Sequence, residues 1–391
     1  MSSPASAPAD QSGRGGGDPI LALADRCVQC GLCLPHCPTY RLDRSETESP
    51  RGRIALARAY VDGALEPDPV ADAHLDHCLG CRRCEAVCPA GVQYGDLLVE
   101  VRQRQRERRG AGRRQLAIEW LAARPALLDR LLGVYRALYP LLPKRLPRPP
   151  RTVRIERTPS RTMASPKQVA LFRGCVARRY DMGVHAALAR LCAAAGLDVA
   201  VPESQTCCGA LHAHAGNREA AAQLALCNRA AFAVGVPVLS SASGCHEALA
   251  EALDGHAPVR DACAFLLTHA DALRFRPVQV RVALHVPCTQ RAVVKSDAAL
   301  RALLARIPQL DLVELPDTGC CGAAGSYMFD QPERAHALRQ PVLDAYARSG
   351  ASLLLSANIG CRLHLAMGDT EIPMRHPLQF LAEHLAGPSS S

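Results

Sequence analysis

Aromatic side chains are scarce in this chain: they make up 4% of its 391 residues, with a single tryptophan. Long apolar runs are missing too. No stretch of about 18 apolar residues free of charge occurs, so no transmembrane segment is expected. The opening MSSPASAPADQSGRGGGDP lacks the apolar core of a secretory signal and reads as a disordered Ser/Ala/Pro/Gly tail, residues 1–17. The one glycine-rich stretch, Gly13 to Gly17, sits in that tail with no strand before it. It is therefore no dinucleotide fingerprint, and neither flavin nor NAD is expected on this chain. A cytoplasmic location follows as the expectation.

Cysteine is abundant, at 19 residues. The chain is too long for a small disulfide-stapled scaffold, and an odd count forbids complete internal pairing. Reduced thiols in such a setting favour metal ligation. The apolar fraction of 48% supports a real core. At about 150 residues per domain, two to three domains are expected.

The formal charge of +9 is concentrated: residues 100–161 carry 17 Arg/Lys against 5 Asp/Glu, leaving −3 on the rest. Nearly all the basic residues are arginine. An arginine run (102–114) leads into a leucine-rich stretch (116–142) that Pro125 and Pro140 should break into short helices. A Pro/Arg linker follows (143–161). Without interleaved aromatics to stack bases, the run does not read as nucleic-acid binding. Leucines, Trp120, Tyr135 and Tyr139 beside the arginines fit a peripheral membrane contact or a partner-subunit interface instead.

Two cysteine runs carry most of the chemistry. Cys27, Cys30, Cys33 and Cys37-Pro38 repeat the spacing of Cys78, Cys81, Cys84 and Cys88-Pro89, and both match the bacterial ferredoxin pattern. Two-residue gaps let a tightly turning loop aim three thiolates at one cube of iron and sulfur. In two-cluster ferredoxins the fourth cysteine serves the other cluster. By that rule Cys27, Cys30, Cys33 and Cys88 hold one [4Fe–4S] cluster, and Cys78, Cys81, Cys84 and Cys37 hold the second. Zinc takes separated cysteine pairs, not four cysteines and a proline in so short a run. A helical stretch near residues 51–62 makes the unit an expanded, helical ferredoxin domain, residues 18–100.

The remainder is an internal repeat. Cys175, Cys207-Cys208-Gly209 and Cys245 in the first copy answer to Cys288, Cys320-Cys321-Gly322 and Cys361 in the second, at offsets of 113, 113 and 116 residues. Within each copy, short β-rich runs (167–172, 197–201 and 236–241; 280–286, 310–315 and 352–357) alternate with helical stretches (182–195 and 297–306). Such alternation predicts an α/β layer with a largely parallel sheet. Each repeat cysteine then falls just beyond a strand's carboxyl end, where open α/β sheets place their sites. Cys192, Cys227 and Cys263 read as buried core thiols.

The words CVQCGLCLPHCPTY (27–40), SPRGRIALAR (49–58), CLGCRRCEAVCPAGVQYGDLL (78–98), TCCGALHAHAG (206–216), SASGC (241–245), CCGAAGSY (320–327) and SANIGC (356–361) are landmarks of a known family. The sequence resembles the iron–sulfur subunit of glycolate oxidase, from about residue 20 to residue 385. Similar architectures occur in the anaerobic glycerol-3-phosphate dehydrogenase C subunit, lactate-utilisation proteins and heterodisulfide reductase. The resemblance implies an α+β multidomain protein: the helical 4Fe–4S domain, the basic segment 101–161, then α/β cysteine-rich domains of the CCG type at 162–278 and 279–386. It implies electron transfer through [4Fe–4S] clusters from an FAD-containing subunit that oxidises glycolate to glyoxylate, towards a membrane, quinone-type acceptor. The cell membrane's inner face is the expected place of contact. No catalytic residue is expected on this chain.

In heterodisulfide reductase-like relatives each repeat ends in C-x-x-C and can hold an unusual cluster. Here Ala242 and Asn358 replace the first cysteine of that pair. Cys175, Cys207, Cys208 and Cys245, with Cys288, Cys320, Cys321 and Cys361, stay candidate ligands of a further centre. His212, His214, His246 and His285 lie near them and read as supporting side chains. A lactate or glycerol-3-phosphate dehydrogenase subunit is the neighbouring reading. A zinc-stabilised scaffold or nucleic-acid-binding protein is the reading from another class.

Overall fold

A computed structural model describes residues 17–142, 149–151, 168–367 and 372–386. The tail 1–17, apart from Gly17, and most of the linker 143–161 lie outside the described residues.

Residues 17–142 contain helices and no strand among the described residues. Proline opens the helices Pro19–Ala24, Pro38–Asp43, Pro50–Val61 and Pro69–Asp76. At that position its fixed φ suits the helix and its missing N–H is not needed. Asp18, Ser49 and Asp68 cap three of them by accepting backbone N–H bonds. Ile20, Ile54, Ala57, Leu75, Leu97, Leu98 and Val101 form their common core. Further on, Pro125 opens the helix Pro125–Leu138, separating it from Arg113–Ala122, and Pro140 sits in the turn Tyr139–Leu141.

Each repeat builds one four-stranded parallel sheet. The first contains β1 (Gln168–Phe172), β2 (Asp198–Ala200), β3 (Val238–Ser240) and β4 (Val259–Asp261), in the order β2-β1-β3-β4. The second contains β5 (Arg281–His285), β6 (Asp311–Glu314), β7 (Leu353–Ser356) and β8 (Met374–Arg375), in the order β6-β5-β7-β8. Registers correspond: Gln168 pairs with Asp198 as Arg281 pairs with Asp311. The strands β4 and β8 have no counterpart in the sequence reading, because VRD and MR each hold a single apolar residue and belong to no β-rich run of the kind that flags β2 and β3.

The two sheets share one core. Leu188, Leu191 and Leu239 of the first copy pack in the same buried cluster as Leu284, Leu300 and Leu355 of the second. The C-terminal helix Pro377–Glu383 lies against the helix Met182–Ala194, and Arg190 donates to the Ala382 carbonyl. Cys192 and Cys263 belong to this core. Cys227 does not: it is exposed on the helix Arg218–Ala231, whose inward positions are taken by Leu224 and Asn228. Its expected burial is thereby corrected.

Candidate metal centres

The two ferredoxin-type loops curl in the same way. Gln29 and Gly31 in the first, and Gly80 and Arg82 in the second, are left-handed, at φ of 53°, 82°, 59° and 54°. These are equivalent positions, two after the first cysteine and one after the second. The reversal of hand bends the backbone around a central point while the cysteines face inward. Non-glycine residues held there carry roughly 1–3 kcal/mol of strain each.

The loops and the helices after them enclose two cavities. One is lined by Cys27, Cys30, Cys33, Cys84 and Cys88. The other is lined by Cys37, Cys78, Cys81 and Cys84, so Cys84 stands between the two. Neither lining includes a carboxylate or an imidazole. Each cavity offers at least the four thiolates that a [4Fe–4S] cube takes, so the residues present fit the group.

Polar groups converge on the second cavity. Thr39 Oγ1 lies 3.3 Å from Cys37 Sγ, and Tyr94 Oη donates to Cys78 Sγ at 3.6 Å. Arg53, buried, donates to Thr39 Oγ1 at 3.0 Å, to the carbonyls of His74 and Glu48, and to the Glu48 carboxylate. Glu48 also accepts from His74 and His77, each at 2.7 Å, and from Arg334 at 3.3 Å. Burial alone pushes the Glu48 carboxyl up, but the bonds from His77 and His74 and the Arg53 charge outweigh it and hold the pKa at about 2. Glu48, His74 and His77 bring three metal-competent atoms within 4.8 Å of one another. The two guanidiniums already neutralise the carboxylate, and the group serves as a hydrogen-bonded node beneath the second loop. Sequence reasoning missed Arg53 and Glu48; their only signal was their place beside the word SPRGRIALAR.

The repeat cysteines come together in matching chains. In the first copy Cys175 touches Cys207, Cys207 touches Cys208, and Cys208 touches Cys245. In the second, Cys288 touches Cys320 at 3.7 Å, Cys320 touches Cys321, and Cys321 touches Cys361. The glycine after each cysteine pair has a physical reason. Gly209 and Gly322 are left-handed, at φ of 90° and 82°. A Cβ there would stand 3.3 Å from the Ala221 carbonyl oxygen in one copy and 2.6 Å from that of Ala335 in the other. Asn358, in place of a cysteine, turns its Nδ2 towards Cys361 Sγ at 3.4 Å and accepts from the Gly244 N–H of the first copy. All four thiols of the second copy are buried, whereas Cys175 and Cys245 of the first are partly exposed.

The second ferredoxin-type loop sits on the second repeat. Cys81 packs with Leu79, Cys288, Cys320 and Tyr327 in one cluster. Burial, and then the neighbouring Cys320, push the Cys81 thiol well above its ordinary range. Arg83 donates to Asp317 at 2.7 Å, Asp317 also pairs with Arg291 at 2.9 Å, and Gly319 lies against Pro38.

The arginine run is internal stapling. Arg102 donates to the Cys78 and His214 carbonyls at 2.6 and 2.9 Å, Arg106 pairs with Glu119, Arg108 with Asp72 and Arg109 with Asp76. His212 contacts the Glu119 carbonyl and His285 contacts Ser356 Oγ, so both act as braces.

A helical domain with two cysteine-lined cavities, joined to two cysteine-rich α/β repeats, defines an iron–sulfur protein. Comparison with known families agrees: residues 23–92 match the 4Fe-4S dicluster domain, and residues 169–250 and 282–366 match the cysteine-rich domain. The chain is 33% identical to the probable glycolate oxidase iron-sulfur subunit of Bacillus subtilis, across 88% of each chain. It is 31% identical to the glycolate oxidase iron-sulfur subunit of Escherichia coli, across 92% of this chain and 93% of that one. A component of the dihydromethanophenazine:CoB–CoM heterodisulfide reductase of Methanosarcina barkeri is 25% identical across 93% of this chain and 95% of that one. The chain belongs to the family of glycolate oxidase iron–sulfur subunits, which are oxidoreductase components.

Proposed function

We propose that this chain is the electron-transfer subunit of a glycolate-oxidising complex. Cys27, Cys30, Cys33 and Cys88 hold one [4Fe–4S] cluster and Cys78, Cys81, Cys84 and Cys37 the other, with the repeat cysteines as ligands of a further centre. Such clusters, when bound, store and pass single electrons. The chain's own residues fix their spacing and aim a hydrogen bond from Tyr94 Oη at the Cys78 sulfur, which tunes potential. Substrate oxidation belongs to an FAD-containing partner, and the electrons end on a membrane acceptor of quinone type. The observation that carries the reading is the pair of cysteine-lined cavities in a chain matching two glycolate oxidase iron–sulfur subunits over nearly its whole length.

Among the described residues no helix is long and apolar enough to cross a membrane. Leu116 and Trp120 on Arg113–Ala122, Val134 and Leu138 on Pro125–Leu138, and Leu141 in the turn after them are exposed. These exposed apolar side chains support peripheral contact with the inner side of the cell membrane.

Anaerobic co-purification tests the function. A brown complex with a flavoprotein that reduces dye with glycolate supports it, and a partner active only on lactate or glycerol 3-phosphate selects the neighbouring reading. A colourless zinc protein overturns both. Cys81→Ser is expected to abolish transfer from the flavoprotein to the physiological acceptor while leaving flavin reduction intact.

A further inference from the structure

The two repeat sites differ in ways that their matching sequences conceal. Cys288, Cys320, Cys321 and Cys361 are all buried, and Cys288 and Cys320 pack directly against Cys81. Among the described residues the first-copy site packs against no cysteine of the ferredoxin-type loops. Instead it borders a cleft of about 420 Å³, whose walls include Gly80 of the ferredoxin-type loop, Cys208, Ala213, Ala222, Ala248 and Thr289 of the second copy. The sites meet across a polar seam in which Ser243 Oγ lies 2.7 Å from Thr289 Oγ1 and Gly244 N–H points at Asn358.

The cleft's chemistry selects its occupant. Alanine side chains with Leu98, Val99 and Val293 form the apolar part of the wall, and His214, Ser243 and Thr289 place hydrogen-bonding groups on it. The charges around it lean acidic: Asp96, Glu247 and Glu251 face Arg82, while Arg218 is taken by Glu100. An anionic substrate is disfavoured there, and a neutral molecule with an apolar body and a few hydrogen-bond acceptors fits.

We infer that the two repeats stand in series on the electron path, with Cys288, Cys320, Cys321 and Cys361 as a buried relay against the second ferredoxin-type site, and Cys175, Cys207, Cys208 and Cys245 as the exit beside the cleft, where a quinone-like acceptor is reduced. This rests on the reading that the repeat thiols hold redox centres. Reduction of the quinone to the quinol takes two electrons, delivered singly from the reduced centres, and two protons, taken from water at the open cleft. The acidic balance of the rim suits an acceptor that stays neutral in both forms.

The test uses the anaerobically purified holoprotein, fully reduced, mixed with a short-chain benzoquinone and freeze-quenched for EPR. Cys208→Ser and Cys320→Ser assign the repeat signals, each removing one. The first-copy signal is expected to disappear before those of the second copy and the ferredoxin-type sites. Ala222→Trp places a large ring at the cleft wall, at a position that is not a proposed ligand. It should leave iron content and all EPR signals unchanged and slow quinone-driven reoxidation at least tenfold, while reoxidation by ferricyanide is unaffected. Prior loss of the second-copy signal, or unaltered quinone reoxidation in Ala222→Trp, overturns the order. A protein with about eight irons per chain and no signal dependent on Cys208 or Cys320 overturns the underlying reading instead, and the order with it.

Discussion

Arg83, within the second cysteine run, donates from Nη2 to Asp317 Oδ2 at 2.7 Å, in the loop just before Cys320 and Cys321. The two residues are 234 positions apart in the chain. Their contact holds the ferredoxin-type loop on the second repeat, and Arg291 steadies the same carboxylate from the other side. Burial lowers the Arg83 pKa, but the Asp317 bond and charge more than reverse it.

Arg83→Met and Asp317→Asn should each weaken this docking. A double-mutant cycle on urea unfolding is expected to return a coupling of about 1 kcal/mol, the scale of a partly exposed charged hydrogen bond. Iron content should remain at the wild-type level, since neither side chain is a proposed ligand. Additive effects of the two changes would show that the contact carries no docking energy.

Glu48 is the centre of a buried set of donors, and its removal leaves Arg53 without a counter-charge. Glu48→Gln should destabilise the protein by about 3–5 kcal/mol, the penalty for breaking a buried pair from one side. Thermal unfolding of the holoprotein checks this. A change below about 1 kcal/mol would place the anchoring of the Cys37 loop elsewhere.

The glycines after the cysteine pairs predict an asymmetry between the copies. Gly322→Ala drives a Cβ to 2.6 Å from a helix carbonyl, while Gly209→Ala meets one at 3.3 Å. Both pay for an unfavourable positive φ, but only the first forces the helix Pro332–Ser349 to shift. Losses of about 3 kcal/mol or more for Gly322→Ala and about 1–2 kcal/mol for Gly209→Ala are expected from unfolding midpoints.

Asp261 caps the helix Ala262–Leu267, and burial raises its pKa to about 6 despite bonds from Ala264 and Cys263 N–H and Ser296. An unfolded Asp titrates near 3.9. The folded protein therefore binds a proton more tightly, and this contribution to stability is full below pH 4 and lost as pH rises through about 6. Asparagine caps as well as aspartate and carries no charge. Asp261→Asn should thus stabilise the protein by about 1–2 kcal/mol at pH 8, by roughly half of that at pH 5 and by nearly nothing below about pH 4. Equal effects at pH 4 and pH 8 would contradict the buried-charge account.

What the sequence disclosed and what it hid follow from the range of each signal. Cysteine spacing, the strand runs ending before Cys175, Cys207 and Cys245, and the helix breaks at Pro125 and Pro140 are local, so they are legible in the order of residues. The helix expected at 51–62 forms as Pro50–Val61 for the same reason. Strands β4 and β8 hold one apolar residue each and so leave no β-rich run, and the outward face of Cys227 is set by Leu224 and Asn228 taking the inward positions of its helix. The arginine run conceals its role, since its partners Asp72, Asp76 and Glu119 lie on other helices. No local feature of Cys81 announces Cys320 as its neighbour; only the folded chain brings them together.

The central claim is that electrons from glycolate reach the iron–sulfur sites of this chain through a flavin partner. The most direct measurement mixes the anaerobic complex with glycolate and follows flavin absorbance alongside freeze-quenched EPR within one turnover. The account predicts flavin reduction followed by the appearance of reduced [4Fe–4S] signals that Cys30→Ser and Cys81→Ser each diminish. Flavin reduction by glycolate with every iron–sulfur signal silent throughout turnover would contradict it.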